Sequence, residues 1–315
     1  MVKLYKGECK IMKYYKLSNG LEISQISLGC MRMFNMNSHE VEELVETALN
    51  SGINFFDHAD IYGGGICEEL FGKVLKRRPE WRKQMIIQTK CGICRGYYDL
   101  SYEHIMESVN ASLERLHTDY IDILLLHRPD ALMDNREVGK AFTELYESGK
   151  VKAFGVSNMN PSQIEYIKKE CRYPIVFNQL QFNVVNAGMI DAGINVNMSN
   201  SASINHDSDV LNYCMNNDIK IQPWSVLQAS WEKGTYLNHP DYPKLNEKLN
   251  ELAEKYHVDA ATIALAWILR HPAGMQPIVG TTNKEHLISM CKATDIELTR
   301  QEWYELYLSV DRRLP

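Results

Sequence analysis

Short apolar runs alternate with amphipathic segments along most of this chain. The runs typical of strands end at Phe56, Thr89, Leu126, Val156, Leu180, Pro223 and Val279. The segments with apolar residues at helical spacing are Glu68–Leu75, Tyr102–Leu116, Val138–Ser148, Pro161–Cys171, Asp207–Asn216, Leu245–Tyr256, Asp259–Arg270 and Lys284–Cys291. A strand followed by a helix, repeating about every thirty residues, predicts βαβ units and a parallel sheet.

Seven or eight such units without a clear linker predict one closed (β/α)8 barrel, a TIM barrel, as a single domain over residues 1–315. A doubly wound sheet is the alternative. It is disfavoured because no GxGxxG follows a predicted strand, and the triplet Gly63–Gly65 lacks that spacing.

The first fifty residues predict elements outside this rhythm. Tyr14–Ile26 reads as a hairpin with a turn at Ser18–Gly20, which we expect to close the bottom of the barrel. A helix capped at Ser38 and ended by Gly52 should follow. Met1–Met12 is polar and unpatterned, so we expect a surface arm there.

Composition narrows the function classes. With 45% hydrophobic residues, the 315-residue chain can bury a substantial core. A formal net charge of -6 and the lack of a basic stripe argue against a nucleic-acid partner. The longest apolar run, Ile263–Leu269, is too short to cross a bilayer, and Met1–Lys6 lacks an apolar signal core. We therefore expect a cytoplasmic protein without a membrane partner, and a monomer rather than an oligomer.

The eight cysteines show no framework spacing, which favours free thiols. Cys91 and Cys94 form a CxxC, which permits a redox or zinc role. No second CxxC and no pair of histidines at zinc spacing accompanies it, so ordinary cysteines at a strand end and no bound metal are expected.

Polar residues follow the ends of several predicted strands, and in a barrel these ends meet at one face. Asp57 ends the first strand, Tyr62 follows in the loop, and Lys90 and His127 end the next two. An ammonium beside a phenol favours the phenolate and should lower the phenol pKa, while a carboxylate keeps a buried ammonium charged. His127 can donate a hydrogen bond to a substrate oxygen. The set suits protonation of a carbonyl oxygen, and since no activated Ser or Cys nucleophile is evident, a hydride must come from a cofactor.

Several strand-end segments also match a known pattern in order and spacing. They are Asn54–Gly63, Gln88–Lys90, Leu124–Pro129, Gly155–Asn158, Asn178–Gln179, Pro223–Ser225 and Pro277–Thr281. Together they resemble the aldo-keto reductase family over almost the full length of the chain. The resemblance implies a (β/α)8 barrel that reduces an aldehyde or ketone to an alcohol, with a tetrad of Asp57, Tyr62, Lys90 and His127. Tyr62 would be the general acid.

The resemblance also implies a nicotinamide cofactor, NADPH, extended across the barrel mouth. Ser157, Asn158 and Gln179 would hold its carboxamide, and Trp224 would stack on the nicotinamide ring. The residues along the pyrophosphate and the adenosine phosphate would be Ser225, Leu227, Gly280, Thr281, Thr282, Asn283 and His286.

Two departures from the family pattern bear on the cofactor. His286 stands where members that prefer the 2′-phosphate often place an arginine, and Met290 stands where a polar residue that contacts adenine is common. A histidine is a weaker and pH-dependent phosphate ligand, so NADH is possible beside NADPH.

The substrate is expected to be a small carbonyl compound. Asn183–Ser208 breaks the strand and helix rhythm and predicts a long loop, either a substrate lid or a mobile surface loop. Our hypothesis is that this segment shapes the substrate pocket together with Tyr97, Tyr98 and Trp231, because the tail after Trp303 is short.

Two other functions stay open at this stage. The first is a cofactor-binding regulatory or redox-sensing protein on the same fold with little turnover, since fold does not fix function. The second is a barrel metal hydrolase that uses Asp57, His58, Asp60 and His127. That reading lacks the His-x-His expected at a strand end.

Overall fold

The computed structural model describes residues 12–315. Its strands are β1 Tyr14–Lys16, β2 Glu22–Ser24, β3 Ser27–Gly29, β4 Phe55–Asp57, β5 Ile86–Cys91, β6 Ile123–Leu126, β7 Phe154–Ser157, β8 Ile175–Gln181, β9 Lys220–Trp224, β10 Gln228–Ser230, β11 Gly234–Thr235 and β12 Ile278–Val279. Its helices are α1 Ser38–Asn50, α2 Ile66–Arg77, α3 Tyr102–Leu116, α4 Asn135–Glu147, α5 Pro161–Lys168, α6 Gly188–Ile194, α7 Val210–Asn216, α8 Pro243–Tyr256, α9 Ala260–Leu269, α10 Lys284–Cys291 and α11 Arg300–Leu308.

Eight parallel strands form the central sheet in the order β12-β3-β4-β5-β6-β7-β8-β9. The two outer strands approach each other at the seam, where the Gln276 N–H donates to the Ile221 carbonyl at 3.0 Å. Helices flank the sheet, and the predicted (β/α)8 barrel is confirmed. Over residues 12–315, no helix is long and apolar enough to cross a membrane.

The predicted hairpin is present, with β1 and β2 paired antiparallel. Its Leu17 and Ile23 are buried in a small apolar cluster with barrel residues Phe55, Ile123 and Phe177. These barrel residues lie toward the amino ends of their strands or in their middle, below the polar strand ends. The hairpin therefore closes the bottom of the barrel and leaves the opposite mouth open.

Side chains alternate along each strand between the barrel interior and the helices. On β4, Phe55 belongs to the interior cluster and Phe56 to the layer under the helices, so Asp57 returns to the interior. Leu125 on β6 also belongs to the interior cluster, and its register partner on β5 is Lys90. The fold thus turns Asp57 and Lys90 toward one space at the barrel mouth.

Three predictions about the amino-terminal part need correction. Strand β3 completes the barrel but is not among the predicted strands, because its three residues carry too little pattern to stand out. Asn37, rather than Ser38, caps α1: its side chain accepts from the backbone of Glu40, whose carboxylate accepts from the Asn37 N–H. The surface arm lies outside the described residues except for Met12, which is buried.

The segment predicted as a loop at Asn183–Ser208 contains helix α6, which buries Met189 and Ile190. The chain's end holds this helix in place, because the Tyr307 hydroxyl donates to Asp191 Oδ1 at 2.8 Å and Arg312 Nε lies 2.8 Å from the same oxygen. The short C-terminal tail therefore braces this segment.

Candidate active site

The Lys90 ammonium joins two of the predicted tetrad residues at the barrel mouth. Its Nζ lies 2.8 Å and 2.9 Å from the two carboxylate oxygens of Asp57. It also donates to the His58 carbonyl at 2.7 Å and to the Tyr62 hydroxyl oxygen at 3.0 Å. An ammonium has three hydrogens and no acceptor. All three are therefore directed to these groups, and the Tyr62 oxygen must accept.

Tyr62 is placed by the turn after β4, where the chain doubles back over Gly63, Gly64 and Gly65. The φ angles of these glycines are 59°, 65° and 97°, a conformation that side chains rarely adopt. A Cβ at Gly63 would also lie 2.7 Å from Phe34 Cβ. None of these glycines lines the cavity described below. They serve the turn that carries Tyr62.

Burial and charge oppose each other at Tyr62. Burial raises the pKa of the phenol, Lys90 lowers it and Asp57 raises it, and the net pKa lies above its ordinary value of 10.0. The sequence predicted the direction of the Lys90 effect, but the expectation of a lowered phenol pKa is wrong because desolvation is larger. Burial lowers the pKa of Lys90, whereas Asp57 and Tyr62 raise it, and the net pKa is raised. The phenol is protonated and the ammonium charged at neutral pH.

His127 follows β6 and faces Tyr62, with ring centroids 5.9 Å apart. Burial, then Lys90 and Arg128, hold the pKa of His127 well below its ordinary 6.5. The imidazole is therefore neutral, with one N–H to donate. Its Nδ1 is buried without a hydrogen-bond partner in the described part of the chain.

Most of the predicted site residues line one open cavity of about 430 Å³ at the barrel mouth. Lys90 lies beneath its floor, fully buried. Thr282 and Asn283 do not line it. The predicted residues that do are Asp57, Tyr62, His127, Ser157, Asn158, Gln179, Trp224, Ser225, Leu227, Gly280, Thr281 and His286.

At one end of the cavity, polar side chains are tied together. Asn158 Nδ2 donates to Ser157 Oγ at 2.8 Å, and Ser157 Oγ donates to the Gln179 carbonyl at 3.0 Å. Trp224 Nε1 donates to Asn158 Oδ1 at 3.2 Å. Asn158 has φ 57° and Ser225 has φ 55°, and residues held in this conformation are common at functional sites. The amide groups and the indole suit a flat, amide-bearing ligand such as a nicotinamide.

At the other end, the start of α10 forms the wall. Asn283 caps this helix by accepting from the His286 N–H at 2.9 Å. Its side-chain oxygen is thus already used in the helix cap. His286 is exposed and, with Met290, lines the cavity. A helix amino end beside an exposed imidazole suits an anionic phosphate.

The residues hypothesised to shape a substrate pocket divide into two groups. Trp231, on the turn between β10 and β11, lines the main cavity. Tyr97 and Tyr98 are exposed and do not. Parts of the 183–208 segment line a second cavity, also of about 430 Å³, which shares Asn158 with the first.

The metal and redox alternatives gain no support from the geometry. In residues 12–315, no three His, Cys, Asp or Glu side chains are grouped as a metal would require. Both nitrogens of His58 are buried without a partner in that part of the chain, and burial with Lys90 lowers its pKa to about 3. Cys91 and Cys94 are free thiols, and Cys94 Sγ lies 3.7 Å from His104 Nε2.

Sequence reasoning missed several residues at the site. Met31, Arg32 and Arg128 line the cavity, and Gln88 and Gln222 lie in the barrel interior beside Asp57. A signal existed for the last three. Arg128 directly follows His127, and each glutamine stands two positions before a predicted site residue on the same strand, hence on the same face.

Comparison with known proteins agrees with this geometry. The model of the aldo/keto reductase family matches residues 25–307. The chain is 34% identical over 309 residues to the 6-dehydroglucose reductase of Agrobacterium fabrum, covering 94% of this chain and 97% of the relative. It is 32% identical over 298 residues to oxidoreductase YdhF of Escherichia coli, covering 91% and 93%. An aldo-keto reductase from Klebsiella pneumoniae, solved with NADPH, is similar at a TM-score of 0.74 with 22% identity, covering 94% of each chain.

The barrel fold, the arrangement of polar residues at its mouth and the family match together define an oxidoreductase that acts on carbonyl groups with a nicotinamide cofactor. The chain belongs to the aldo/keto reductase family, as its sequence predicted.

Proposed function

We propose that the protein reduces an aldehyde or ketone to the alcohol with NADPH, and that Tyr62 is the general acid. The observation that carries this proposal is the direction of the hydrogen bond between Lys90 and Tyr62. Because the ammonium can only donate, the phenol oxygen accepts, and no acceptor in the described residues takes the hydroxyl hydrogen. That hydrogen is left to face a carbonyl oxygen in the cavity.

The other tetrad residues support the transfer of this proton. When the proton leaves Tyr62, negative charge develops on an oxygen 3.0 Å from the Lys90 ammonium, which stabilises it. Asp57 balances the ammonium in a site where an isolated charge would be costly. Neutral His127 donates a hydrogen bond to the carbonyl oxygen and fixes its orientation.

The cofactor residues are proposed as the sequence predicted them. Ser157, Asn158 and Gln179 would hold the carboxamide, and the half-buried Trp224 indole would stack on the ring. Ser225 and Leu227 would lie along the pyrophosphate. The adenosine phosphate end would be held by Gly280, Thr281, Thr282, Asn283 and His286. Bound there, NADPH supplies the hydride that the protein itself lacks.

A direct assay tests the proposed function. Purified protein is mixed with NADPH and a panel of aromatic and aliphatic aldehydes, and the loss of NADPH absorbance is followed. Turnover that saturates with aldehyde is expected. NADPH binding without turnover of any aldehyde would favour the regulatory alternative, and no binding of either cofactor would contradict both.

The His286 position gives a prediction about cofactor preference. Substitution His286→Arg places a permanent charge at the amino end of α10, where a guanidinium can bind a 2′-phosphate with two hydrogen bonds. We expect the Kd for NADPH to fall by about threefold to tenfold, and the Kd for NADH to change little. Quenching of tryptophan fluorescence measures both. Equal changes for the two cofactors would show that His286 does not face the 2′-phosphate.

A further inference from the structure

Positive charge is concentrated on the wall of the main cavity, although the whole chain carries a formal charge of -6. Arg32 and Arg128 both line it. Among the lining residues in the described part of the chain, Asp57 alone is acidic, and it is paired with Lys90. The cavity therefore presents an excess of cations and hydrogen-bond donors.

Arg128 is the less constrained of the two arginines. Arg32 donates to the Gly280 carbonyl at 2.8 Å. The Arg128 guanidinium is half-buried over the Trp224 indole, 5.8 Å from the ring centroid, and no carboxylate in residues 12–315 lies within ion-pair distance. By contrast, Arg82 and Arg115 lie 2.8 Å and 2.7 Å from carboxylates.

A guanidinium that is partly desolvated and has no counter-ion favours an anionic ligand. Arg128 stands next to His127 in the chain and shares the cavity with Tyr62. We propose that Arg128 binds an anionic group, a carboxylate or phosphate, that the substrate carries a few atoms from its carbonyl. This inference rests on the proposed function and narrows its substrate class to anionic aldehydes or ketones.

A matched pair of substrates tests the charge alone. The pair is para-carboxybenzaldehyde and its methyl ester, which have the same aldehyde and a similar shape. In the wild type we expect kcat/KM to favour the acid. In Arg128→Gln, the ratio of kcat/KM for the acid to kcat/KM for the ester should fall about tenfold or more. In Arg128→Lys, this ratio should lie between the values for the wild type and for Arg128→Gln. Arg172→Gln, an exposed arginine at the other end of the barrel, controls for net charge and should keep the wild-type ratio.

The possible results distinguish a failure of the Arg128 assignment from a failure of the proposed function. A wild-type preference for the ester, or an unchanged ratio in Arg128→Gln, would overturn the assignment. So would a rise in the Kd for NADPH with no change in the ratio, because Arg128 would then serve the cofactor. If no aldehyde is turned over, the proposed function fails. Binding of para-(hydroxymethyl)benzoate, measured by tryptophan fluorescence in wild type and Arg128→Gln, then still decides the anion site.

A second feature supports an independent inference. It is a series of buried glutamine side chains, joined by hydrogen bonds, beneath the barrel mouth. Gln88 Nε2 donates to Asp57 Oδ1 at 2.6 Å and to Gln222 Oε1 at 2.9 Å. Gln179 Nε2 donates to the same two oxygens at 3.0 Å and 3.3 Å. Two amides thus join the carboxylate to Gln222.

This series of hydrogen bonds continues to the bottom of the barrel. Gln222 Nε2 donates to Gln276 Oε1 at 2.8 Å, and Gln276 Nε2 donates to the Ser24 carbonyl at 2.6 Å. The directions are fixed at both ends, since an ionised carboxylate and a backbone carbonyl can only accept. Because both hydrogens of Gln88 Nε2 are donated to acceptors, Gln88 Oε1 is left buried without a hydrogen-bond partner in residues 12–315, which is costly.

We infer that Gln222 is a positioning residue for the reaction. Its Oε1 is the shared acceptor that keeps the amide groups of Gln88 and Gln179 turned toward Asp57. Without it, those amides are free to rotate, and the carboxylate that anchors the Lys90 ammonium loses its fixed orientation. This inference also rests on the proposed function.

A double-mutant cycle separates positioning from a structural role. Gln222→Met keeps the length of the side chain and removes its polar atoms. We expect kcat to fall about tenfold with little change in KM or in the Kd for NADPH. In a Lys90→Met background, Gln222→Met should cause no further loss of kcat, because its effect passes through Lys90. An unchanged kcat in the single variant, or losses that simply add in the double variant, would overturn the inference. Absence of wild-type turnover would instead refute the proposed function on which it rests.

Discussion

Turnover of an aldehyde by Tyr62→Phe is expected to fall by about a hundredfold or more, with the Kd for NADPH unchanged. The substitution removes one oxygen and keeps the ring that packs near His127. It removes the proton donor and also leaves the Lys90 ammonium one acceptor short. The measurement is steady-state kinetics beside cofactor binding by fluorescence quenching.

Tyr146→Phe is the matched control. Tyr146 is 44% exposed on α4 and stacks on Tyr173, away from the barrel mouth, so its loss should leave turnover at the wild-type level. Retention of near-native turnover by Tyr62→Phe would contradict the assignment of Tyr62 as the acid, even with the fold and family intact.

The sequence predicted those site residues whose placement follows from the periodicity of the strands and the topology of the barrel. Asp57 ends β4, Lys90 is the last residue but one of β5, and His127 directly follows β6. The carboxyl ends of barrel strands meet at one face. Their convergence follows from the fold alone. Gln88 and Gln222 obey the same alternation, but their place in the site depends on contacts across the barrel interior with Asp57, Gln179 and Gln276, which the pattern within one strand does not contain.

Properties that depend on how deeply a group is buried could not be predicted from periodicity and topology. The sequence predicts that an ammonium lies near Tyr62, but it does not show how far the phenol is removed from water. Burial decides the direction of the pKa shift of this phenol. The role of the glycine turn cannot be predicted from the sequence for a similar reason. Whether Gly63 faces a ligand or Phe34 depends on how the loop after β3 packs, which the local sequence does not contain.

The least predictable element is α6. Two of its seven residues are glycine, and a helix of seven residues is marginal without tertiary support. That support comes from Tyr307 and Arg312, more than a hundred residues away in the chain. Local propensity therefore predicted a loop where long-range contacts to Asp191 hold a helix.

Lys90→Met should change both the rate of reduction and its dependence on pH. Reduction needs the protonated phenol, so its rate is present below the Tyr62 pKa and is lost as pH rises through it. Because burial places that pKa above the ordinary value for a phenol, the wild-type rate should stay level through neutral pH and fall only in the alkaline range above that ordinary value. Lys90 lowers the Tyr62 pKa, so removing the ammonium should move the alkaline limb to still higher pH while kcat falls about a hundredfold.

Stability must be separated from catalysis in this variant, because Lys90→Met leaves the buried Asp57 carboxylate without its partner. Breaking a buried ion pair costs about 3–5 kcal/mol of unfolding free energy. Rates should therefore be measured well below the thermal transition of the variant, with Lys169→Met, an exposed lysine, as the control. A stabilising role alone would lower the transition temperature and leave the pH profile in place. An alkaline limb that moves to lower pH in Lys90→Met would show that the ammonium does not act on the Tyr62 phenol.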